Sequence, residues 1–312
     1  MQFQENVDLK QYSHYKIGGP ARYFFAPKNK EEMLEAVKKA RAEKLSIFIL
    51  GGGTNLLIND KGFNGLVLKP EIRDLKRAGN LVQVGAGVQM SELLSYLVSQ
   101  SLSGFEWAGG LPGTVGGAIR GNAGAFGGET KDSVKEVVSL DIRDSEPNLV
   151  KRNNQACQFG YRNSIFKMND GHEVIVEVEF ELKPGDPAEI KKAIDEKIKY
   201  RHERQPLEYG NIGSIFKNVD VRKATPEVVA ACSHVIKTDP FPVIPTAHLI
   251  TEAGLKNRQI GQAMVSPKHP NFIVNLGGAT AEDVRQLIAV VKEAVKSKFG
   301  VDLEEEVIYV GF

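Results

Sequence analysis

Hydrophobic and polar residues alternate through the segment from Val174 to Leu182. The apolar face of this segment consists of Val174, Val176, Val178, Phe180 and Leu182. Glutamates occupy the other face at Glu177, Glu179 and Glu181. Because successive side chains of a strand point to opposite sides of a sheet, the alternation predicts a half-buried strand of an antiparallel sheet.

Apolar residues recur with helical spacing in several other segments that carry capping signals. The predicted helices begin after Asn29, at Ser91, after Asp186 and after Thr280, and the last ends at Gly300. A further capped helix within 226–237 and a proline-rich segment at 239–245 lie between Val219 and Leu249. Strands are predicted at 46–50, from Leu81, and at 306–311. Since helices and strands mix without a sequence repeat, the predicted fold class is α+β.

Composition limits the functional classes. A chain of 312 residues is long enough for two or three domains. Its 40 basic and 39 acidic residues leave a formal charge of +1, so no global field favours nucleic acid or an anionic membrane. Cys157 and Cys232 form no ligand-spaced cluster, which argues against a disulfide framework or a metal site. Without a signal-peptide pattern or a run of about 18 apolar residues, we expect a cytoplasmic protein with no membrane insertion.

Two glycine segments match nucleotide-binding loops only in part. GGGTN at 51–55 lacks the Gly-Lys-Ser/Thr ending of a phosphate loop. VGAGVQM at 84–90 has Met90 where a dinucleotide fingerprint has its third glycine. We reject both assignments, and either segment alone is typical of a tight turn between a strand and a helix.

The segment from Gly109 to Gly128 is rich in glycine over a greater length than a turn needs. Glycine in regular structure costs conformational entropy, which close approach of the backbone to another group can offset. Successive backbone N–H groups can form a concave site for a diphosphate without a lysine. Together with 51–55, this segment suggests a phosphate-bearing cofactor held mainly by backbone groups.

Short motifs are distributed along nearly the whole chain. They are KIGGPA at 16–21, LGGGTNLLI at 50–58, AGGLPGTVGGAIRGNAGA at 108–125, YRNSIF at 161–166, GSIFKN at 213–218, EAGLK at 252–256 and LEEEV at 303–307. In this order they resemble the UDP-N-acetylenolpyruvoylglucosamine reductase (MurB) family. The short interval between YRNS and GSIFKN resembles the type II subclass, which lacks an extra substrate loop.

The resemblance implies three domains. Two of them would form a vanillyl-alcohol-oxidase-type (PCMH-type) FAD-binding fold: residues 1–66, completed by a C-terminal strand within 301–312, and residues 67–204. Residues 205–300 would form an α+β domain that binds a UDP-sugar. We expect a monomer that binds no nucleic acid.

The resemblance also implies a reaction of peptidoglycan synthesis, with FAD as cofactor and NADPH as co-substrate. The enolpyruvyl ether of UDP-N-acetylglucosamine would be reduced to the lactyl ether of UDP-N-acetylmuramate. Hydride transfer to the vinyl carbon leaves negative charge that must be stabilised and then protonated. By motif position, Arg162 would stabilise this charge and Ser214 would supply the proton. Glu306 would be buried, with a raised pKa, and would donate a hydrogen bond.

The family motifs also imply binding residues. The FAD contacts would be Gly51, Gly52, Gly53, Thr54, Asn55, Leu56, Pro112, Gly113, Thr114, Gly116, Gly117, Asn122, Ala123 and Gly124. Arg204 and Asn218 would contact the diphosphate of UDP, and His269 would make a further polar contact with the substrate.

Two other functions remain open at this point. Another FAD oxidoreductase on the same fold would act on a different donor and would not bind UDP-N-acetylglucosamine selectively. A non-catalytic flavin-binding module would be yellow but would not be bleached by NADPH, and the presence of Arg162, Ser214 and Glu306 argues against it.

Overall fold

The computed structural model describes residues 1–143, 146–238 and 241–312. The helices are α1 Lys30–Ala42, α2 Met90–Ser99, α3 Val115–Gly121, α4 Ile165–Met168, α5 Pro187–Arg204, α6 Pro226–Ala231, α7 Thr246–Glu252 and α8 Ala281–Phe299. The strands are β1 Gln4–Asp8, β2 Pro20–Phe25, β3 Ile47–Ile49, β4 Leu56–Ile58, β5 Phe63–Leu68, β6 Leu75–Ala78, β7 Leu81–Gly85, β8 Leu102–Ser103, β9 Gly124–Ala125, β10 Gly128–Glu129, β11 Val134–Asp141, β12 Asn148–Asn153, β13 Glu173–Glu181, β14 Lys183–Pro184, β15 Val219–Asp220, β16 Val243–Ile244, β17 Gln259–Ile260, β18 Ala263–Val265, β19 Ile273–Asn275 and β20 Ile308–Val310. Asp239 and Pro240, the first residues of the predicted proline-rich segment, lie outside the described residues.

The chain divides into two compact units. Unit 1 consists of Met1–Val7, Ala21–Gly52 and Asn64–Arg201. Unit 2 consists of Asp8–Pro20, Gly53–Phe63 and His202–Phe312. The segment GGGTN therefore contributes Gly51 and Gly52 to unit 1 and its remaining residues to unit 2.

The largest sheet of unit 1 has the strand order β12-β11-β13-β7-β6, and all neighbouring strands are antiparallel. Strand β13 begins one residue before the predicted start, at Glu173. From Val176 onwards the alternation holds, because Val176, Val178 and Phe180 are buried while Glu181 is exposed. The predicted antiparallel strand is confirmed.

The helices of unit 1 pack their apolar stripes against the sheets. Helix α1 buries Met33, Ala36, Val37 and Ala40, and Asn29 accepts a hydrogen bond from Glu32 N at 2.8 Å, as its capping pattern predicts. Helix α2 differs from the prediction, because it begins at Met90 and has no side-chain cap. Met90 N donates instead to Gly113 O at 2.9 Å, so a tertiary hydrogen bond satisfies a donor at the helix start.

Unit 2 is built around α8. Val284, Leu287, Ile288, Val291 and Val295 are buried in its core, as the helical spacing predicts. Thr280 and Asp283 form a capping box, and Gly300 closes the helix at φ 65°. Strand β20 lies parallel to β4, and β17, β18 and β19 form an antiparallel sheet.

The helix predicted within 226–237 is shorter in the structure. Helix α6 ends at Ala231 and a 3₁₀ turn follows at Ser233–Val235. Helix α6 has no buried residue, so it lacks the apolar stripe that sustains a longer helix by packing.

Membrane-spanning and metal-binding features were sought in the described ranges. No helix there combines the length and the apolar character needed to cross a bilayer. Nor do those ranges bring three or more His, Cys, Asp or Glu side chains together as a metal site.

Candidate active site

The two glycine segments come into contact within unit 1. A Cβ atom on Gly52 would lie 2.5 Å from Gly113 Cα, a distance that real Cβ atoms essentially never show. A Cβ atom on Gly51 would lie 3.0 Å from Thr114 Oγ1. Glycine at these positions therefore lets the two backbones pack directly against each other.

The backbone of residues 51–54 offers unused hydrogen-bond donors. The N–H groups of Gly51, Gly52, Gly53 and Thr54 donate to no acceptor within the described part of the chain. Gly53 has φ +65°, and a Cβ there would lie 1.9 Å from Tyr12 O. A row of free backbone donors in a glycine-rich turn fits an anion such as the diphosphate of a dinucleotide.

The second glycine segment contains helix α3, which its glycine content does not predict. Thr114 caps the helix by accepting a hydrogen bond from Gly117 N at 3.3 Å. Asn122 ends it in the left-handed conformation at φ 42° and is fully buried. Asn122 Nδ2 donates to Gly160 O at 3.0 Å, and its Oδ1 accepts from Lys131 N at 3.1 Å. Its side chain thus fastens the glycine segment to the loop that carries Arg162.

Arg162 is presented by a tight loop in unit 1. Gly160 and Asn163 exchange backbone hydrogen bonds of 3.0 and 3.1 Å, and Arg162 between them has φ 53°. This left-handed conformation is uncommon outside glycine and costs free energy that the surrounding contacts must offset. Arg162 Nη2 donates to Gly124 O at 2.8 Å, so the guanidinium lies against one of the predicted FAD-contact residues.

Ser214 and Glu306 lie on adjoining backbone segments of unit 2. Glu306 N donates to Ile215 O at 2.8 Å, directly after Ser214 in the chain. Asn55 Nδ2 donates to Glu306 O at 2.8 Å. Unit 2 therefore brings together the predicted proton donor, the predicted glutamate and a predicted FAD contact.

Glu306 is half-buried, so the expectation that it is buried is wrong. In the extended C-terminal segment the neighbouring Val307 is buried, and alternate residues of such a segment face opposite ways. The neighbouring acids have other partners. Glu304 pairs with Lys217, and Glu305 pairs with Lys292 at 2.7 Å.

The predicted substrate-binding residues all belong to unit 2. Arg204 is exposed at the last position of α5. Asn218 Oδ1 accepts a hydrogen bond from Thr246 N at 3.2 Å, at the start of α7. The amide of Asn218 therefore has a structural role in addition to any contact with substrate.

His269 packs its ring against Phe272, with 4.6 Å between the ring centroids. Its Nδ1 is buried and has no hydrogen-bond partner among the described residues. Burial, together with the charge of Lys237, lowers the pKa of His269 below its ordinary value of 6.5. His269 is therefore neutral at neutral pH and offers no positive charge to a diphosphate.

Arg201 is a buried residue beside the second glycine segment that the sequence analysis does not single out. Ile190, Ile194 and Arg201 are the buried residues of α5, and half-buried Ile198 lies on the same stripe. An arginine in an otherwise apolar stripe was the signal that could have identified it. Arg201 Nε donates to Gly109 O at 2.8 Å, at the start of the second glycine segment.

Comparison with known proteins gives two family matches. Residues 205–310 match the family described as UDP-N-acetylenolpyruvoylglucosamine reductase, C-terminal domain. Residues 21–146 match the family described as FAD binding domain.

Similar proteins cover nearly the whole chain. UDP-N-acetylenolpyruvoylglucosamine reductase of Caldanaerobacter subterraneus is 38% identical over 98% of this chain and 93% of its own length. The reductase of the same name from Lactobacillus delbrueckii is 37% identical over 100% of this chain and 96% of its own length. The crystal structure of UDP-N-acetylenolpyruvylglucosamine reductase (MurB) from Thermus caldophilus superposes with a TM-score of 0.77 at 30% identity, covering 99% of both chains.

Proposed function

The chain belongs to the UDP-N-acetylenolpyruvoylglucosamine reductase (MurB) family, and we propose that Arg162, Ser214 and Glu306 are its catalytic residues. The protein is an FAD-containing oxidoreductase of peptidoglycan synthesis that acts on a UDP-sugar, with NADPH as co-substrate. The expected α+β class, with a vanillyl-alcohol-oxidase-type FAD-binding fold and a C-terminal substrate domain, is confirmed.

We assign the cofactor to the two glycine segments. Gly51 to Leu56 and the predicted contacts from Pro112 to Gly124 would hold FAD, with the backbone donors of 51–54 at its diphosphate. When bound there, FAD would supply the hydride-transfer chemistry, with NADPH as the reductant and the enolpyruvyl ether as the acceptor. The packing of Gly52 on Gly113 supports this assignment, because it keeps side chains out of the space between the segments.

Arg162 would stabilise the charge that develops on the substrate. Hydride addition to the vinyl carbon places an electron pair on the neighbouring carbon, and the carboxylate delocalises it. A guanidinium presents a fixed fork of donors to two carboxylate oxygens. The left-handed backbone of Arg162 and its hydrogen bond to Gly124 hold that fork in one place before substrate arrives.

Ser214 would donate the proton that completes the lactyl ether, and Glu306 would assist. An ionised carboxylate beside the developing enolate would repel it, so we propose that Glu306 acts in its protonated form as a hydrogen-bond donor. The observation that carries the proposal is the hydrogen bond from Glu306 N to Ile215 O, because it places Ser214 and Glu306 on adjoining backbone segments.

The two half-reactions test these roles separately. In Ser214→Ala, reduction of the flavin by NADPH should proceed as in the wild type. Reoxidation by the enolpyruvyl substrate should slow by about 10²- to 10⁴-fold, the usual contribution of a general acid. Anaerobic stopped-flow absorbance measures both rates. Ser233→Ala, at an exposed serine of unit 2, is the matched control. Equal reoxidation rates in the wild type and Ser214→Ala would exclude Ser214 as the proton donor.

We further propose the finer organisation that the family resemblance implies. FAD would be bound by residues 1–66 with 301–312 and by residues 67–204. The substrate would be bound by residues 205–300. Arg204, Asn218 and His269 would line the substrate site, and the protein would act as a cytoplasmic monomer. Sedimentation of the holoenzyme as a single species with the mass of one 34.2 kDa chain plus bound FAD supports the monomer, and a concentration-dependent dimer contradicts it.

A further inference from the structure

Arg201 is a buried cation with an unused donor. The residue as a whole is only 8% exposed. Nη2 is buried and has no hydrogen-bond partner among the described residues, although Nε donates to Gly109 O. No carboxylate in that part of the chain forms an ion pair with Arg201. Burying a guanidinium without a counter-charge is unfavourable, so the arrangement indicates a ligand that supplies one.

The surroundings of Arg201 add further positive charge. Burial first, and then the charge of Arg162, lower the pKa of Arg201 from its ordinary value. The guanidinium nevertheless stays charged at neutral pH, because arginine is not deprotonated in proteins. Lys197 Nζ and the Arg201 guanidinium each lie 5.3 Å from the centre of the Phe126 ring. Arg162, Lys197 and Arg201 thus form a basic cluster within unit 1.

The backbone beside Arg201 fixes its side chain. A Cβ atom on Gly110 would lie 3.0 Å from Arg201 Cδ, and one on Gly109 would lie 2.4 Å from Ile194 O. These glycines allow the chain to pack against α5 and confine the arginine stem. A confined guanidinium loses little conformational entropy when it binds an anion.

We propose that Arg201 binds the carboxylate of the enolpyruvyl substrate together with Arg162. This inference rests on the role of Arg162 in the proposed function. A carboxylate presents two oxygens and can accept hydrogen bonds from both guanidinium groups, which relieves their mutual repulsion. The diphosphate of the cofactor has the same anionic chemistry, and the experiment separates the two sources.

The test compares two ligands that differ by the enolpyruvyl group, which carries the carboxylate. Binding of the enolpyruvyl UDP-sugar and of UDP-N-acetylglucosamine, which lacks the carboxylate, is measured by titration of the oxidised holoenzyme. Arg201→Met removes the charge but keeps an unbranched stem. It should weaken binding of the enolpyruvyl ligand by about 10- to 150-fold, the range for a lost charged hydrogen bond, and leave the affinity for UDP-N-acetylglucosamine unchanged. Arg201→Lys keeps the charge without the fork of donors. Its affinity for the enolpyruvyl ligand should lie between those of the wild type and Arg201→Met.

Lys192→Gln is the matched control, because it removes one positive charge from an exposed position of the same helix. The FAD dissociation constant and the thermal midpoint of each variant are measured in parallel. If Arg201→Met loses FAD but keeps the selectivity of the wild type between the two ligands, the anion bound by Arg201 belongs to the cofactor. This outcome overturns the proposal. Equal affinities in the wild type, Arg201→Met and Arg201→Lys also overturn it. That result leaves the proposed function standing if the wild type turns over and Ser214→Ala shows the expected slowing of flavin reoxidation.

Discussion

Individual residues in costly states mark the candidate site. Arg162 holds a left-handed backbone, and Arg201 buries a charge without a carboxylate partner in the described residues. Each state opposes folding unless its surroundings or a ligand compensate for it. Arg162 lies in the YRNS motif and Arg201 lies against the second glycine segment, which ties these two positions to the residues proposed for catalysis and FAD binding.

A substitution at Gly52 tests the contact between the glycine segments. In Gly52→Ala the added methyl would lie 2.5 Å from Gly113 Cα, so the two backbones must separate. We expect a loss of about 1–3 kcal/mol in the free energy of unfolding, as for other overpacked sites, and weaker FAD binding. Chemical denaturation and flavin titration measure the two effects.

Gly121→Ala is the control for this substitution. Apart from its chain neighbours and the backbone of its own helix, no described atom lies within 4 Å of the Cβ position at Gly121, the last residue of α3. Alanine should therefore be neutral, or stabilising by up to about 1 kcal/mol. If Gly52→Ala behaves like Gly121→Ala, the close packing of the two segments is not what holds FAD.

The sequence identified the single residues of the motifs but not their environment. Ser214 and Glu306 could be selected from their motifs, whereas the half-burial of Glu306 depends on the alternation of a segment that also buries Val307. Arg201 was missed because an arginine is ordinarily read as surface. Only packing against Gly109 and Gly110 shows that it is buried.

Secondary-structure elements were predictable where a periodic apolar stripe coincided with local caps. Helices α1, α5 and α8 combine an apolar stripe with capping residues, and strand β13 shows a clear alternation of apolar and polar residues. Helix α3 was not predicted, because glycine has low helix propensity. Its Thr114 cap and the burial of Val115 and Ile119 outweigh that propensity, and burial is a tertiary effect that local sequence does not report.

The capping box of α8 provides a prediction at the scale of an element. Thr280→Ala should lower the free energy of unfolding by about 1 kcal/mol, because a helix that carries much of the unit 2 core loses a capping hydrogen bond. The turnover number should stay unchanged. Thr225→Ala removes the corresponding cap of α6, which buries no residue, and should cost less. Urea unfolding measures both variants. Equal losses in the free energy of unfolding would show that the cap of α8 contributes no more to stability than the cap of α6.

At the scale of the whole molecule, the residues proposed for catalysis and for carboxylate binding come from distant parts of the chain. Arg162 and Arg201 belong to unit 1, and Ser214 and Glu306 belong to unit 2. Residues this far apart in the chain share no local pattern, so periodicity and capping could not group them. The ordered motifs did so, through the family resemblance, and the relatives over the full chain bear out that family.

The central claim is that one polypeptide holds FAD, accepts reducing equivalents from NADPH and passes them to an enolpyruvyl UDP-sugar. The most direct test is an anaerobic titration of the purified protein, followed by its visible absorption. NADPH should bleach the flavin band, and the enolpyruvyl UDP-sugar should then restore it mole for mole, with UDP-N-acetylmuramate as the product. Protein that stays colourless after addition of FAD, or a bleached flavin that persists in excess substrate, would contradict the account.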